Sequence, residues 1–334
     1  MKSRTTILFI LFTAAVAVLF AADIAVGSVS IPIRDVWAAL TGGECDHTTA
    51  RIIRDIRLMK AVVALVAGAA LAVSGLQMQT LFRNPLAGPY VLGVSSGASL
   101  GVALFILGAP MAGLTGHAWL SSLGVAGAAW IGAAATLALV AAISTRIKDI
   151  MVILILGMMI SSGVSAIVQI LQYLSAEEAL KSFVVWTMGS LGDVTATQLA
   201  LLLPAVAAGA ALGVAAIKSL NMLLLGENYA RSMGLDLRRS RSIILLSTTL
   251  LAGTVTAFCG PIGFIGLAMP HVARVIFRNA DHRTLMPAAA LTGAASLLLC
   301  DMVAKLLALP VNSITALLGI PVVVWVVVRN RNIV

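Results

Sequence analysis

Charge is what this chain has least of. Asp, Glu, Lys and Arg make up 10% of its 334 residues, where soluble domains carry roughly 25%. Histidine occurs four times and cysteine three times. A water-soluble fold must cover itself with polar surface, and this composition cannot supply it. A soluble enzyme, a disordered chain and a nucleic-acid-binding domain are therefore excluded together. Cys45, Cys259 and Cys300 stand far apart and form no CxxC, so neither a disulfide framework nor a metal site is indicated. GxxxxGKS/T and HExxH are missing, so no P-loop and no zincin site is present. A nucleophile elbow is not expected either, and no catalytic residue is assigned.

Hydrophobicity takes the place of charge. Hydrophobic residues are 60% of the chain, and the mean hydropathy is +1.05. These values describe a polytopic membrane protein of all-α class. A span needs about 20 mostly apolar residues. Ten runs qualify: 6–27, 61–81, 91–108, 119–143, 150–172, 196–217, 243–259, 261–277, 285–306 and 311–328. Only Gly260 and Pro261 divide the seventh from the eighth. No strand-like alternation competes with this, and helices satisfy their own backbone in lipid. The first run follows Lys2 and Arg4 and also has the form of a cleavable signal peptide, but its length favours a retained span. A single membrane domain over 1–334 is expected, because no loop is long enough for a soluble domain.

The net charge of +9 would elsewhere suggest nucleic acid. Here its distribution gives orientation. With ten alternating spans and a cytoplasmic N-terminus, 15 of the 22 Lys and Arg fall inside, among them Arg146, Lys148 and Arg331. Only four of the 13 Asp and Glu join them. Excess Lys and Arg mark the cytoplasmic side, so both termini are placed there.

Asp23, Asp193 and Asp301 fall near predicted outer ends of spans, and mid-span carboxylates are nearly absent. Carriers driven by ion gradients usually keep such groups at mid-depth. The energy for any transport must then come from elsewhere. A basic internal loop over 218–242 is one place to receive it. Within it Glu227 and Arg231 are spaced to pair along a short helix that Gly226 precedes and Gly234 closes. The same loop could instead anchor on anionic lipid. On the other side, Arg57 and Lys60 share a helical face and Lys305 lies near the end of span nine. These cations could meet a carboxylate-bearing protein. They could equally snorkel to headgroups, and Lys305 could pair with Asp301 four residues before it.

Two segments are interrupted by Gly and Pro: Arg83 to Pro89, and Gly260 to His271. Irregular backbone at membrane depth survives only where protein or water satisfies it, so both could flank a pathway. A tight turn and a proline kink are the plainer alternatives. His271 reads as an interfacial or capping residue. Gly93, Gly97 and Gly101 form GxxxGxxxG, a pattern for close helix packing in lipid.

Four stretches together resemble the FecCD-type permeases, the membrane subunits of ABC importers for iron–siderophore complexes, haem and cobalamin. They are VAGAALAVSGLQMQTLFRNPLAGPYVLGVSSGASLG (66–101), GENYARSMGL (226–235), GPIGFIGLAMPHVARVIF (260–277) and LPVNSITALLGIPVVVWVVVR (309–329). The resemblance implies a type II ABC importer permease fold of about ten helices, working by alternating access in a bacterial inner membrane. It implies a homodimer or a dimer with a paralogous permease. It further implies two cytoplasmic P-loop ATPase subunits that carry ATP and magnesium, and an external binding protein that delivers substrate. This chain itself would bind no cofactor and hydrolyse nothing. Gly226, Glu227, Ala230, Arg231, Met233 and Gly234 would couple to the ATPase. Arg57, Lys60 and Lys305 would dock the binding protein, and Asn84 and Leu86 would form the cytoplasmic gate. Family members carry Arg-Leu-Pro-Arg where this chain has Arg57-Leu58-Met59-Lys60. A lysine cannot make the bidentate fork an arginine makes. The cargo would be a ferric chelate, haem or cobalamin. A gradient-driven carrier of a small hydrophobic solute is the alternative from residues alone.

Overall fold

In the computed structural model, residues 2–27, 29–108, 122–144, 147 and 149–329 are described. Arg146, Lys148 and Arg331, and the start of the fourth expected span, lie outside them. All regular structure among the described residues is helical. In chain order the helices are α1 (Lys2–Ala25), α2 (Ile33–Thr41), α3 (His47–Leu81), α4 (Val94–Gly108), α5 (Ser122–Ser144), α6 (Ile150–Leu174) and α7 (Glu177–Thr187). There follow α8 (Ala196–Ala215), α9 (Ile217–Leu224), α10 (Glu227–Ser232), α11 (Leu237–Cys259), α12 (Ile265–Phe277), α13 (His282–Leu307) and α14 (Val311–Arg329). Within α3 the stretch Ile52–Leu58 is wound as π-helix, as is Thr249–Gly253 within α11.

Each of the ten expected runs has its helix. Among the described residues six helices are long and apolar enough to cross a membrane, and Val94–Gly108, Gly124–Val140, Ile265–Phe277 and Val311–Val326 are shorter apolar helices. The loops need correction. The stretch 29–59 between the first two expected spans contains α2 and the first turns of α3. Asp46 starts α3 early by accepting from Thr48 N at 3.1 Å and Thr49 N at 3.2 Å. The stretch 218–242 is likewise helical for most of its length.

The scarce acids have structural positions. Asp149, Asp236 and Asp281 cap α6, α11 and α13 in the same way as Asp46. Glu227, Asp23 and Asp301 sit in ion pairs. Residues 93–97 spell GxSxG. The stretch is a turn running into α4, with no strand before it among the described residues, so it is not a nucleophile elbow.

Packing divides the chain into two compact units. The first draws on 1–73, 190–201 and 263–334, the second on 74–189 and 202–262. In the first, α1, α12, α13 and the start of α3 pack together. Gly68 on α3 lies directly against the backbone of Gly293 on α13, where a Cβ would collide. Phe9 and Phe12 of α1 stack on Phe277 with ring centroids 4.8 and 5.7 Å away. His271 is buried, its Nδ1 3.5 Å from the Arg274 guanidinium.

In the second unit, the core joins α4, α5, α7 and α11 through Ala98, Val102, Ala129, Phe183 and Ala257. The glycine pattern is a packing seam. Gly97 and Gly101 lie against the backbone of Ala128 and Gly132 on α5, a separation that excludes any larger residue.

Candidate functional site

Two clusters of charged side chains and one turn carry the residues singled out above. The first cluster surrounds α10 in the second unit. Gly226 has φ 103°, which lets the chain turn sharply from α9 into α10. Gly234, with φ 82°, follows the last turn, where Leu235 N donates to Ala230 O at 3.0 Å. Ala230 is fully buried and roots the helix, whereas Tyr229 is 54% and Met233 55% exposed. Leu224 and Leu225 extend that apolar face. Glu227 does not pair with Arg231, as its spacing led us to expect. It accepts from Arg241 Nη2 at 2.6 Å. The reason is environment. Arg231 stands in water, where an ion pair gains little, while Arg241 on α11 is partly shielded beside Glu227. A six-residue helix is thus held by its root and by a cross-link to α11, and its apolar side is left open.

The second cluster lies in the first unit. The carboxylate of Asp301 is fully buried between Lys60 Nζ at 3.1 Å and Lys305 Nζ at 2.8 Å. Lys305 also contacts Asp23 Oδ1 at 2.8 Å and donates to its carbonyl at 3.0 Å. The pair of Lys305 with Asp301 was weighed from spacing, but the participation of Asp23, far away in sequence, was not. Arg57, only 5% exposed, donates to the carbonyls of Ile24 at 3.2 Å and Ala25 at 2.8 Å, and also to that of Val29. Those are carbonyls at and beyond the C-terminus of α1, which lack helical partners and carry its negative dipole end. The three expected docking cations are therefore brought together, but each is turned toward partners within the chain. Lys60 is the most open, with its side chain 23% exposed.

The expected gate is a tight turn after α3. Arg83 takes a left-handed φ of 48°, and Asn84 Oδ1 accepts from Leu86 N at 2.9 Å. Leu86 projects with 48% exposure. Close by in sequence, Tyr90 OH donates to Ile262 O at 3.1 Å, which ties the turn region to the second interrupted segment. One polar group was missed from sequence. Gln77, buried in α3, donates to Ser247 Oγ at 3.0 Å and accepts from Thr248 Oγ1 at 2.9 Å. Ser247 Oγ in turn donates to Gly209 O at 2.7 Å. Every polar atom of this set has a role in joining α3, α8 and α11. Among the described residues no group of His, Cys, Asp and Glu could hold a metal ion.

A membrane chain whose described residues are helical and which presents one short helix is built like a transport permease. The comparisons agree. The FecCD transport family matches residues 14–329, and the chain belongs to that family. It is 37% identical over 314 residues to the hemin transport system permease protein HmuU of Yersinia pestis, covering 91% of this chain and 90% of that one. It is 36% identical over 280 residues to the vitamin B12 import system permease protein BtuC of Escherichia coli, covering 83% of each. A solved structure assigned to the metal-chelate type of ABC transporter, in an inward-facing conformation, superposes with a TM-score of 0.84 at 30% identity. The match covers 97% of this chain and 99% of that one. The protein is a permease subunit of an ABC importer, and the gradient-driven alternative is set aside.

Proposed function

We propose that this chain imports a ferric chelate, haem or cobalamin by alternating access, as a homodimer or with a paralogous permease, in a bacterial inner membrane with both termini cytoplasmic. Substrate arrives on an external binding protein. Two cytoplasmic P-loop ATPase subunits supply the energy. The observation that carries this reading is α10: a rooted, cross-linked helix whose Tyr229 and Met233 are each more than half exposed. An apolar face rimmed by Glu227 and Arg231 fits a groove on a soluble subunit. The Glu227–Arg241 pair then transmits a push on α10 directly into α11. Gly226 and Gly234 bound the moving unit, Ala230 seats it, and Asn84 and Leu86 close the path behind the cargo.

Docking of the binding protein falls first to Lys60, whose ammonium keeps access to water. Arg57 and Lys305 contribute through the network that holds Lys60 and Asp301 in place. The two named relatives carry different cargoes at nearly equal identity, so the cargo rests with the binding protein rather than with the shared helices.

The test is reconstitution with the ATPase and binding protein in proteoliposomes, with uptake of haem, a ferric siderophore and cobalamin measured against ATP hydrolysis. Charge reversal at both Glu227 and Arg231 is expected to abolish uptake while ATP hydrolysis continues. Normal coupling in that variant refutes the assignment of α10.

A further inference from the structure

The second unit contains a cavity of about 490 Å³ beside α10. That volume is ordinary for a small-molecule site. Its floor is apolar, formed by Leu137 of α5, Ile153 of α6 and Leu245 of α11 among others. Its rim carries Arg231, Arg238 and Arg241. The surrounding helix ends are the end of α3, the end of α5, the start of α6 and the start of α11, and three of these helices are long enough to span a bilayer. The cavity therefore lies at the ends of these spans.

The charges around it do not cancel. Asp149 is engaged with Met151 N at the start of α6, and Asp236 with Arg239 N at the start of α11. Glu227 answers Arg241 alone. Arg231 and Arg238 are exposed. Moreover, Arg238 and Arg241 lie in the first turns of α11, at the positive end of its dipole, where cations are disfavoured and an anion is favoured. A concave apolar floor and an arginine rim at a span end match one kind of ligand: a phosphate ester with acyl chains attached.

We propose that this cavity binds an anionic phospholipid. The headgroup phosphate bridges Arg231 and Arg238, and the upper acyl chain lies over Leu137, Ile153 and Leu245. The lipid joins α5 and α6 to α11, the helix cross-linked to α10, and so holds the presented helix to its neighbours.

The experiment uses the full-length permease in detergent, examined by native mass spectrometry with phosphatidylglycerol, phosphatidylcholine or inorganic phosphate. One phosphatidylglycerol is expected to remain bound where phosphatidylcholine does not. Arg238→Gln should weaken that binding about fivefold, corresponding to the roughly 1 kcal/mol of one basic side chain near an anionic surface. Phosphatidylglycerol with a photoreactive acyl chain should label the peptides containing Leu137, Ile153 and Leu245. Equal retention of phosphatidylcholine, displacement by millimolar inorganic phosphate, unchanged binding in Arg238→Gln, or labelling elsewhere would each overturn the proposal. None of these readouts depends on an ATPase or a cargo, so failure of the transport assignment is separate.

Discussion

Around Asp301, two acidic and two basic side chains are shut away from most of the water and pair with one another. Around α10, Arg231, Arg238 and Arg239 stand in solvent, and apolar Tyr229 and Met233 stand with them. Both regions are basic in composition. They differ in where the counter-charge lies. Asp301 and Asp23 lie inside the chain, so the first region is closed and structural in this conformation. In the second, only Arg241 has an acidic partner among the described residues' ion pairs, and the surface remains open to others. A stretch of lysines and arginines therefore signals a docking surface only after its internal carboxylates have been counted.

The sharpest way to break this contrast is at Asp301. Asp301→Ala leaves Lys60 and Lys305 with one buried carboxylate, Asp23, between them. Removing one partner of a buried ion pair costs about 3–5 kcal/mol, because the stranded charge has no water to replace it. We expect a large fall in the thermal unfolding midpoint of the detergent-solubilised protein, or failure to accumulate in the membrane. Asp301→Asn together with Lys60→Met should restore part of the loss, because the Lys305–Asp23 pair is left intact. A wild-type midpoint for Asp301→Ala would show that the cluster is hydrated and open after all.

A neutral polar site sharpens the comparison. Gln77 joins three helices without any charge. Hydrogen bonds between membrane helices average about 0.6 kcal/mol and reach about 1.7. Gln77→Leu is expected to lower stability within that range, clearly less than Asp301→Ala. The unfolding midpoint checks it. An effect equal to that of Asp301→Ala would mean that burial, and not charge, sets the cost in the first region.

The ten spans were legible because an apolar run of that length has few other uses. The edges of α10 were legible because Gly226 and Gly234 punctuate it. What could not be read depends on approach through space. Asp23 and Lys305 are 282 residues apart, and Glu227 and Arg241 are 14 apart across a turn. Helical spacing offered Arg231 to Glu227 and Asp301 to Lys305, and only the second pairing formed. Local periodicity ranks neighbours on one helix, but water decides whether the pair is worth making. Helices α2 and α7 were missed for a related reason. Each is short and broken by charged residues, so neither rises above its surroundings in hydropathy.

The smallest effect on stability is expected where we expect a large effect on function. Tyr229→Ala with Met233→Ala removes two side chains that are more than half exposed. Surface changes of this kind usually stay within about 0.5 kcal/mol, so the unfolding midpoint should hardly move. If the apolar face of α10 is a seat for a soluble subunit, the same variant should lose co-purification with the ATPase. Interface energy concentrates in a few large, centrally placed side chains, and Tyr is over-represented among them. The two readouts together separate the regions: at Asp301 stability falls and takes function with it, whereas at Tyr229 and Met233 the fold survives and the partnership fails. A variant that kept the ATPase would leave α10 as a surface helix of no special purpose. One that lost its own stability would place Tyr229 and Met233 inside the fold's cohesion, on the same footing as the buried ion cluster.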